Sequence, residues 1–237
     1  FYAIHFSKPF LKVTYLKENS EGKSVKAAFE FDINSGNKID VKVGISAVDV
    51  EGAKMNLKKE IGHKTFEEVK NEAQQIWENQ LNKIVIEDEN DNQKINFYTS
   101  LYHTMIAPNL YQDVDGRYRG IDLEIHKKTD FEYYTVFSLW DTYRAAHPLY
   151  TIIEQERTND FINTLVEKYH GFAMMTIWDL SANYTGCMIG YHAVPVIADA
   201  FLKGIKNYDV EKAFEAMKHS AMQDKLGLES YKKFGFI

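Results

Sequence analysis

Cysteine is nearly absent: Cys187 is the single one in 237 residues. An internal disulfide is therefore excluded, and the redox compartment is left open. Cys187 also lacks a neighbouring base and any nucleophile motif, so thiol chemistry is not indicated. No run of about 18 apolar residues exists to span a membrane as a helix. Basic charge is in deficit, with 28 Lys and Arg against 34 Asp and Glu and a net charge of −6, which argues against a general nucleic-acid binder. Self-similarity at a fixed period is missing as well, which counts against a purely structural helical repeat. The start has neither an initiator Met nor a signal peptide, and Phe1-Tyr2-Ala3-Ile4-His5-Phe6 reads as mid-strand. The last residues run into the apolar Phe236 and Ile237, so the chain is expected to be a piece of a longer polypeptide.

What is present is a globular composition, 45% apolar and 14% aromatic, long enough for one large or two smaller domains. A surplus of Tyr, Phe and Trp is common in carbohydrate-binding proteins and equally suits a dense core. To about residue 50 the period is two. Val25, Ala27, Phe29 and Phe31 alternate with Lys26, Ala28 and Glu30, and Ile39, Val41, Val43 and Ile45 alternate with Asp40, Lys42, Gly44 and Ser46. The turn between them is Asn34-Ser35-Gly36-Asn37. With Leu11–Leu16 and the opening strand this predicts about four antiparallel strands with one wet face, the edge of a β-sandwich. No chemistry is legible there, His5 included.

At Thr65 the period changes. Thr65-Phe66-Glu67-Glu68 matches a capping box, and Phe66, Val69, Ala73, Ile76, Leu81 and Ile84 follow down one helix face, with Trp77 as an anchor. Glu87-Asp88-Glu89-Asn90-Asp91-Asn92 is an acidic break that reads as a solvated linker. Beyond it the chain reads as helical with long, aromatic-rich loops. One helix carries Ile95 to Met105 and stops before Pro108, and another carries Phe161 to Tyr169. His192–Ile205 is apolar nearly all round and so needs cover on most sides, Gly204 ends it, and Asp209 caps the next helix.

The stretch around which the chain is organised is Phe137-Ser138-Leu139-Trp140-Asp141-Thr142-Tyr143-Arg144. A sugar suits this group: an indole offers an apolar face to ring C–H groups, and a carboxylate accepts hydrogen bonds from two neighbouring hydroxyls. Arg144, a turn further on, can hold Asp141 ionised. The competing reading is a helix N-terminus with Asp141 as cap and Arg144 as its ion-pair partner. Trp178-Asp179 repeats the dipeptide, and His192 opens the buried helix, where the positive helix end favours a neutral imidazole facing a ligand; the alternative makes His192 merely a cap. Asp113-Val114-Asp115-Gly116-Arg117-Tyr118-Arg119-Gly120 begins like a calcium loop, with Glu124 at the twelfth position. Arg117 then stands at a ligand position and Tyr118 at the obligatory glycine, so a tight Asp–Arg turn is the better reading. Asn183-Tyr184-Thr185 fits a glycosylation sequon, a pattern frequent by chance.

Asp113–Gly120, Tyr134–Arg144 and Gly186–Ala198 together resemble glycoside hydrolase family 92, over about residues 60 to 237. Trp140-Asp141-Thr142 followed by Met188-Ile189-Gly190-Tyr191-His192 is the most specific part. The resemblance implies an α+β chain: the end of an N-terminal β-sandwich over 1–62, a linker helix and acidic linker over 63–92, and the first helices of an (α/α)6 barrel over 93–237. It implies a calcium-dependent, inverting exo-α-mannosidase acting on α-1,2-linked mannose of high-mannose N-glycans, in the bacterial periplasm, at the cell surface or secreted. Departures are Gly171-Phe172-Ala173-Met174-Met175-Thr176, where the family has two glycines and a Leu-Pro, Tyr184, where it has a glutamate, and Asp179, where it often has one.

An inverting glycosidase needs two carboxyl groups about 6.5–9.5 Å apart. The resemblance places both, and most calcium ligands, in Gly/Asn-rich segments beyond residue 237. Trp140, Asp141, Arg144, Trp178, Asp179 and His192 are accordingly assigned to substrate binding, with no catalytic residue and no metal ligand named. The alternative from another class is a non-catalytic glycan-binding helical module.

Overall fold

The computed structural model describes residues 1–16, 25–32, 34, 36–225 and 227–236. It is a mixed α and β chain with short antiparallel strands and several helices, in two compact units, Phe1–Glu72 and Ala73–Ile237.

In the first unit β1 (Tyr2–Phe6), β2 (Lys12–Tyr15), β3 (Ala27–Glu30) and β4 (Val41–Ile45) form two antiparallel pairs, β1 with β4 and β2 with β3. The expected turn at Asn34–Asn37 includes Ser35, which lies outside the described residues; Asn34 N–H donates to Asp32 Oδ1 over 2.8 Å. The aromatic residues of the alternating segments meet, with the Phe6 ring 4.9 Å from Phe29 and 5.2 Å from Phe31.

Strands alone were expected up to residue 62, and a helix stands there instead, α1 (Val50–Glu60). Its signals were short-range ones: Asp49 Oδ1 caps it by accepting from Gly52 N–H at 2.6 Å, Glu51 lies in the first turn, and Lys58 and Lys59 lie in the last. α1 packs on the side of β4 that carries Gly44, so the alternation is covered on the opposite side from the one the apolar residues mark. Val41, Val43 and Ile45 are 53, 49 and 72% exposed.

Glycine at 44 is what lets the helix seat, because a Cβ there would lie 2.2 Å from Ala53 O and 2.6 Å from Leu57 Cβ. Gly44→Ala is therefore expected to destabilise this unit by about 1–3 kcal/mol, the usual range for overpacking. The check is the denaturant midpoint of the intact protein followed by a probe in this unit; an unchanged midpoint would show that α1 does not press on β4.

α2 (Phe66–Leu81) begins with the capping box read from sequence: Glu68 N–H donates to Thr65 Oγ1 at 3.3 Å, and Thr65 N–H donates to Glu68 Oε2 at 2.7 Å. The division between the units falls inside this helix. Its apolar stripe is open along the described chain, with Phe66 64% and Ile76 61% exposed, while the Trp77 ring rests 4.6 Å from Tyr102.

In the second unit α3 (Asp91–Thr104), capped by Asn90, ends ahead of Pro108. Four short strands follow, β5 (Asn109–Leu110), β6 (Arg117–Arg119), β7 (Ile125–Lys127) and β8 (Tyr134–Thr135), paired β5 with β8 and β6 with β7. This nested hairpin was not legible in the sequence. At the start of β6, Asp115 accepts from Arg117 Nε at 2.7 Å, the Asp–Arg turn expected there.

The chain then runs through α4 (Leu139–Thr142), α5 (Ala146–Ile153), α6 (Gln155–Phe172), β9 (Asp179–Leu180), β10 (Asn183–Tyr184), α7 (Ala193–Leu202), α8 (Val210–Met222) and α9 (Leu228–Phe234). Phe137 and Leu139 join one core with Phe161, Ile162 and Leu165 of α6, Ile197 and Ala200 of α7, and Ala213 and Ala216 of α8. The spacing in α6 and α7 is that of a single helix face. α7, expected to be covered nearly all round, buries Ala193, Val196, Ile197 and Ala200 and leaves Leu202 83% exposed. Asp209 Oδ1 caps α8 by accepting from Lys212 N–H at 3.0 Å, as the sequence indicated.

Candidate functional site

The organising stretch sits on a one-turn helix held from beneath. Val136, just before it, has φ of 63°, a left-handed conformation that a β-branched residue resists and that persists only where its surroundings impose it. Those surroundings are a backbone bridge between 137–139 and 177–179. Leu139 N–H donates to Ile177 O at 2.9 Å, Asp179 N–H donates to Phe137 O at 3.3 Å, and Ser138 faces Trp178 across the bridge. Leu139, with no exposed surface, pins α4 to the core. Ser138 O accepts from the N–H groups of Asp141 and Thr142, each at 3.0 Å, and closes the turn.

What this frame presents outward is Trp140, 40% exposed, and the exposed Asp141 and Arg144. Asp141 does not cap the helix through a backbone N–H; its Oδ2 accepts from the Ser138 hydroxyl, in a short contact. Arg144 is not turned onto that carboxylate: its guanidinium lies over the Tyr143 ring, 5.2 Å from the centroid. Tyr143 in turn stacks on His192 at 4.4 Å and 8°, and the edge of His192 meets Trp140 at 5.3 Å and 64°. Trp140, Tyr143, Arg144 and His192 thus form one aromatic and cationic group beside the Asp141 carboxylate.

His192 occupies the N-cap position of α7 without a side-chain capping bond. Its Nε2 is enclosed with no partner among the described residues. Burial first, and the Arg144 charge second, lower its pKa, while a hydrogen bond with the Ile189 backbone opposes them. A neutral imidazole was expected from the helix end; burial is what favours it.

The second Trp–Asp pair is divided between two sides of the chain. Trp178 is half-buried, and its carbonyl accepts from Thr185 N–H at 3.2 Å and Thr185 Oγ1 at 2.9 Å. Asp179, expected at the substrate surface, is instead in the interior with no exposed side-chain area. Alternation along the extended segment sends the two side chains to opposite faces. Asp179 Oδ2 receives Lys168 Nζ at 2.8 Å and Thr135 Oγ1 at 2.9 Å, and Oδ1 has no partner among the described residues.

Burial pulls the Lys168 pKa below its usual value, and the charge and hydrogen bond of Asp179 oppose that. Its ammonium also lies 4.4 Å from the Phe137 ring centroid. Lys168 was missed in the sequence, while Ser138 and Tyr143 stood in the organising stretch without an assigned role. For Lys168 a signal existed: it follows Phe161 and Leu165 at seven and three residues, on the buried face of α6, where a lysine requires an acidic partner.

Asp115 is engaged by Arg117, and among the described residues no group of three His, Cys, Asp or Glu side chains is placed to hold a metal ion. No helix among them is long and apolar enough to cross a membrane.

One helical frame thus displays an indole, a carboxylate and a guanidinium together. The chain belongs to glycosyl hydrolase family 92, whose catalytic-domain model matches residues 52–237. It is similar to a family GH92 α-mannosidase from Bacteroides thetaiotaomicron, at 38% identity and a TM-score of 0.87, over 98% of this chain and 33% of that one. The same mannosidase has also been solved in complex with mannoimidazole, matching at 38% identity and a TM-score of 0.87 over 98% of this chain and 32% of that one. A second family GH92 mannosidase from that organism, an inverting one, is 27% identical with a TM-score of 0.87, over 99% of this chain and 34% of that one. The chain therefore spans about a third of the length of these structures. No curated protein matches it.

Proposed function

We propose that this chain is the front part of a glycoside hydrolase that removes terminal α-linked mannose, of the α-1,2 type, from high-mannose glycans by single displacement with inversion. The observation that carries the reading is the outward display of Trp140 and Asp141 beside Arg144 and His192, in a chain 38% identical to an α-mannosidase that has been solved with mannoimidazole bound. The indole covers the apolar face of the sugar ring, Asp141 accepts from two hydroxyls, and His192 packs against Trp140 and Tyr143 at the same surface. Trp178 contributes next to Ser138 across the bridge. Asp179 acts through the frame, by holding 177–179 against 137–139. The general acid, the general base and the ligands of a calcium ion come from residues beyond 237. The exposed apolar face of β1 and β4 belongs to a β-sandwich, and α3 to α9 belong to an (α/α)6 barrel.

The test is the intact protein with an α-1,2-linked mannobiose, followed by proton NMR at the anomeric position. The first-formed product is expected to be the β-anomer, and turnover is expected to stop on chelation and return with added Ca²⁺. Early accumulation of the α-anomer would overturn inversion, and no cleavage with Ca²⁺ present would overturn the activity.

A further inference from the structure

A cavity of about 180 Å³ opens between the β6–β7 hairpin and the C-terminal end of α6. None of Trp140, Asp141, Arg144, Trp178 and His192 lines it. Its walls carry Tyr118, Asp122, His126, Tyr133, Glu167 and His170. Tyr118 and Tyr133 are 2% and 1% exposed, and their rings stack at 3.9 Å and 14°. Among the described residues neither hydroxyl has a hydrogen-bond partner, and neither oxygen is closed off from solvent as the partnerless buried atoms elsewhere in the chain are. Burial, reinforced by nearby carboxylates, raises both phenol pKa values well above the usual one, so both remain protonated donors at neutral pH.

The carboxylates of this cavity are already engaged. His126 Nε2 lies 2.9 and 3.0 Å from the two oxygens of Asp122, which also accepts from Glu124 N–H at 3.0 Å. Glu167 holds Lys128 Nζ at 2.9 Å. They are thereby held in place and keep spare lone pairs for a hydroxyl. The backbone is shaped to the same end. A Cβ at Gly120 would lie 2.5 Å from Asp122 Oδ1 and 2.8 Å from His126 Nε2, so only glycine leaves that pair where it is.

We propose that this cavity is a second ligand site, for one uncharged pyranose ring, separate from the site around Trp140 and Asp141. The volume is below the roughly 300–1,000 Å³ of sites for drug-sized ligands, which fits a single sugar unit. Two hydroxyl donors in one cavity with partnered carboxylates and imidazoles, Tyr118 and Tyr133 with Asp122, Glu167, His126 and His170, match the mixed donor and acceptor pattern of vicinal sugar hydroxyls. A terminal unit of another glycan branch, or released monosaccharide, supplies the same chemistry.

The experiment titrates methyl α-D-mannopyranoside into the intact protein, with binding read by ligand-observed NMR and the location read from crystals soaked in the same sugar. Two binding events are expected. One survives Asp141→Asn and is weakened about tenfold or more in the double variant Tyr118→Phe/Tyr133→Phe, which keeps both rings and their stacking and loses two hydrogen bonds. Turnover of a small mannoside and the melting temperature of that double variant are expected to match wild type. Unchanged binding in the Tyr→Phe variant, or a single binding event abolished by Asp141→Asn, would overturn the proposal. So would displacement of the sugar from this cavity by ethanolamine, since that marks a cation site. Density for the sugar here in a variant that no longer binds at Asp141 would uphold it, whatever becomes of the reading of the first site.

Discussion

Lys168→Met is expected to destabilise the protein by about 3–5 kcal/mol, the range for removing one partner of a buried ion pair. Both side chains of the pair have no exposed area, so Asp179 cannot recover its lost partner from solvent. Its Oδ1 is already unpartnered, and Thr135 Oγ1 alone would remain on Oδ2. The companion variant decides between a charge effect and a packing effect. Lys168→Met/Asp179→Leu removes both charges and is expected to regain most of the loss, because apolar replacement of a whole buried pair is often close to neutral. Chemical denaturation of the three proteins measures this. A double variant as unstable as the single one would show that shape, and not the unpaired carboxylate, sets the cost. Because the pair anchors 179 beside Phe137, the single variant is also expected to lower kcat/KM in its folded fraction.

Asp141→Asn is expected to lower kcat/KM for an α-mannoside by about tenfold to more than a hundredfold. The substitution keeps the shape but exchanges one acceptor for a donor, and hydrogen bonds to a charged group contribute roughly 1.5–3 kcal/mol each. Stability is expected to change by no more than about 0.5 kcal/mol, since Asp141 is exposed and its partner is the neighbouring Ser138 hydroxyl. The scaffold reading requires the opposite pattern, a lower melting temperature with unchanged kcat/KM. Measuring both quantities on the intact protein separates the two.

Local signals carried far in this chain. The capping box at Thr65 and Glu68, the Asp209 cap, the stop before Pro108 and the Asp115–Arg117 turn each depend on residues within a few positions of one another. Such contacts are written in the sequence because the chain cannot avoid them. The family was legible for a related reason: Trp140-Asp141-Thr142 and Met188–His192 are short, specific runs whose residue types appear directly in the chain.

The tertiary structure alone decided which face of each element meets which neighbour. Periodicity marked Val41, Val43 and Ile45 as a buried side, yet α1 took the Gly44 side, where the missing side chain lets backbone approach backbone. Two Trp–Asp dipeptides looked alike in sequence, and one carboxylate reached solvent while the other entered the core. The difference lies in Lys168, eleven residues before Asp179, and in the bridge from 177–179 to 137–139, some forty residues apart. Long-range pairing has no local signature, because its free energy arises only once α6 and that bridge have been brought together. Sequence alone thus determined the family, the locally capped helices and the Trp140–Asp141 stretch, while packing decided where α1 and the nested hairpin stand, that Asp179 is a buried anchor and that Tyr118 and Tyr133 line a cavity.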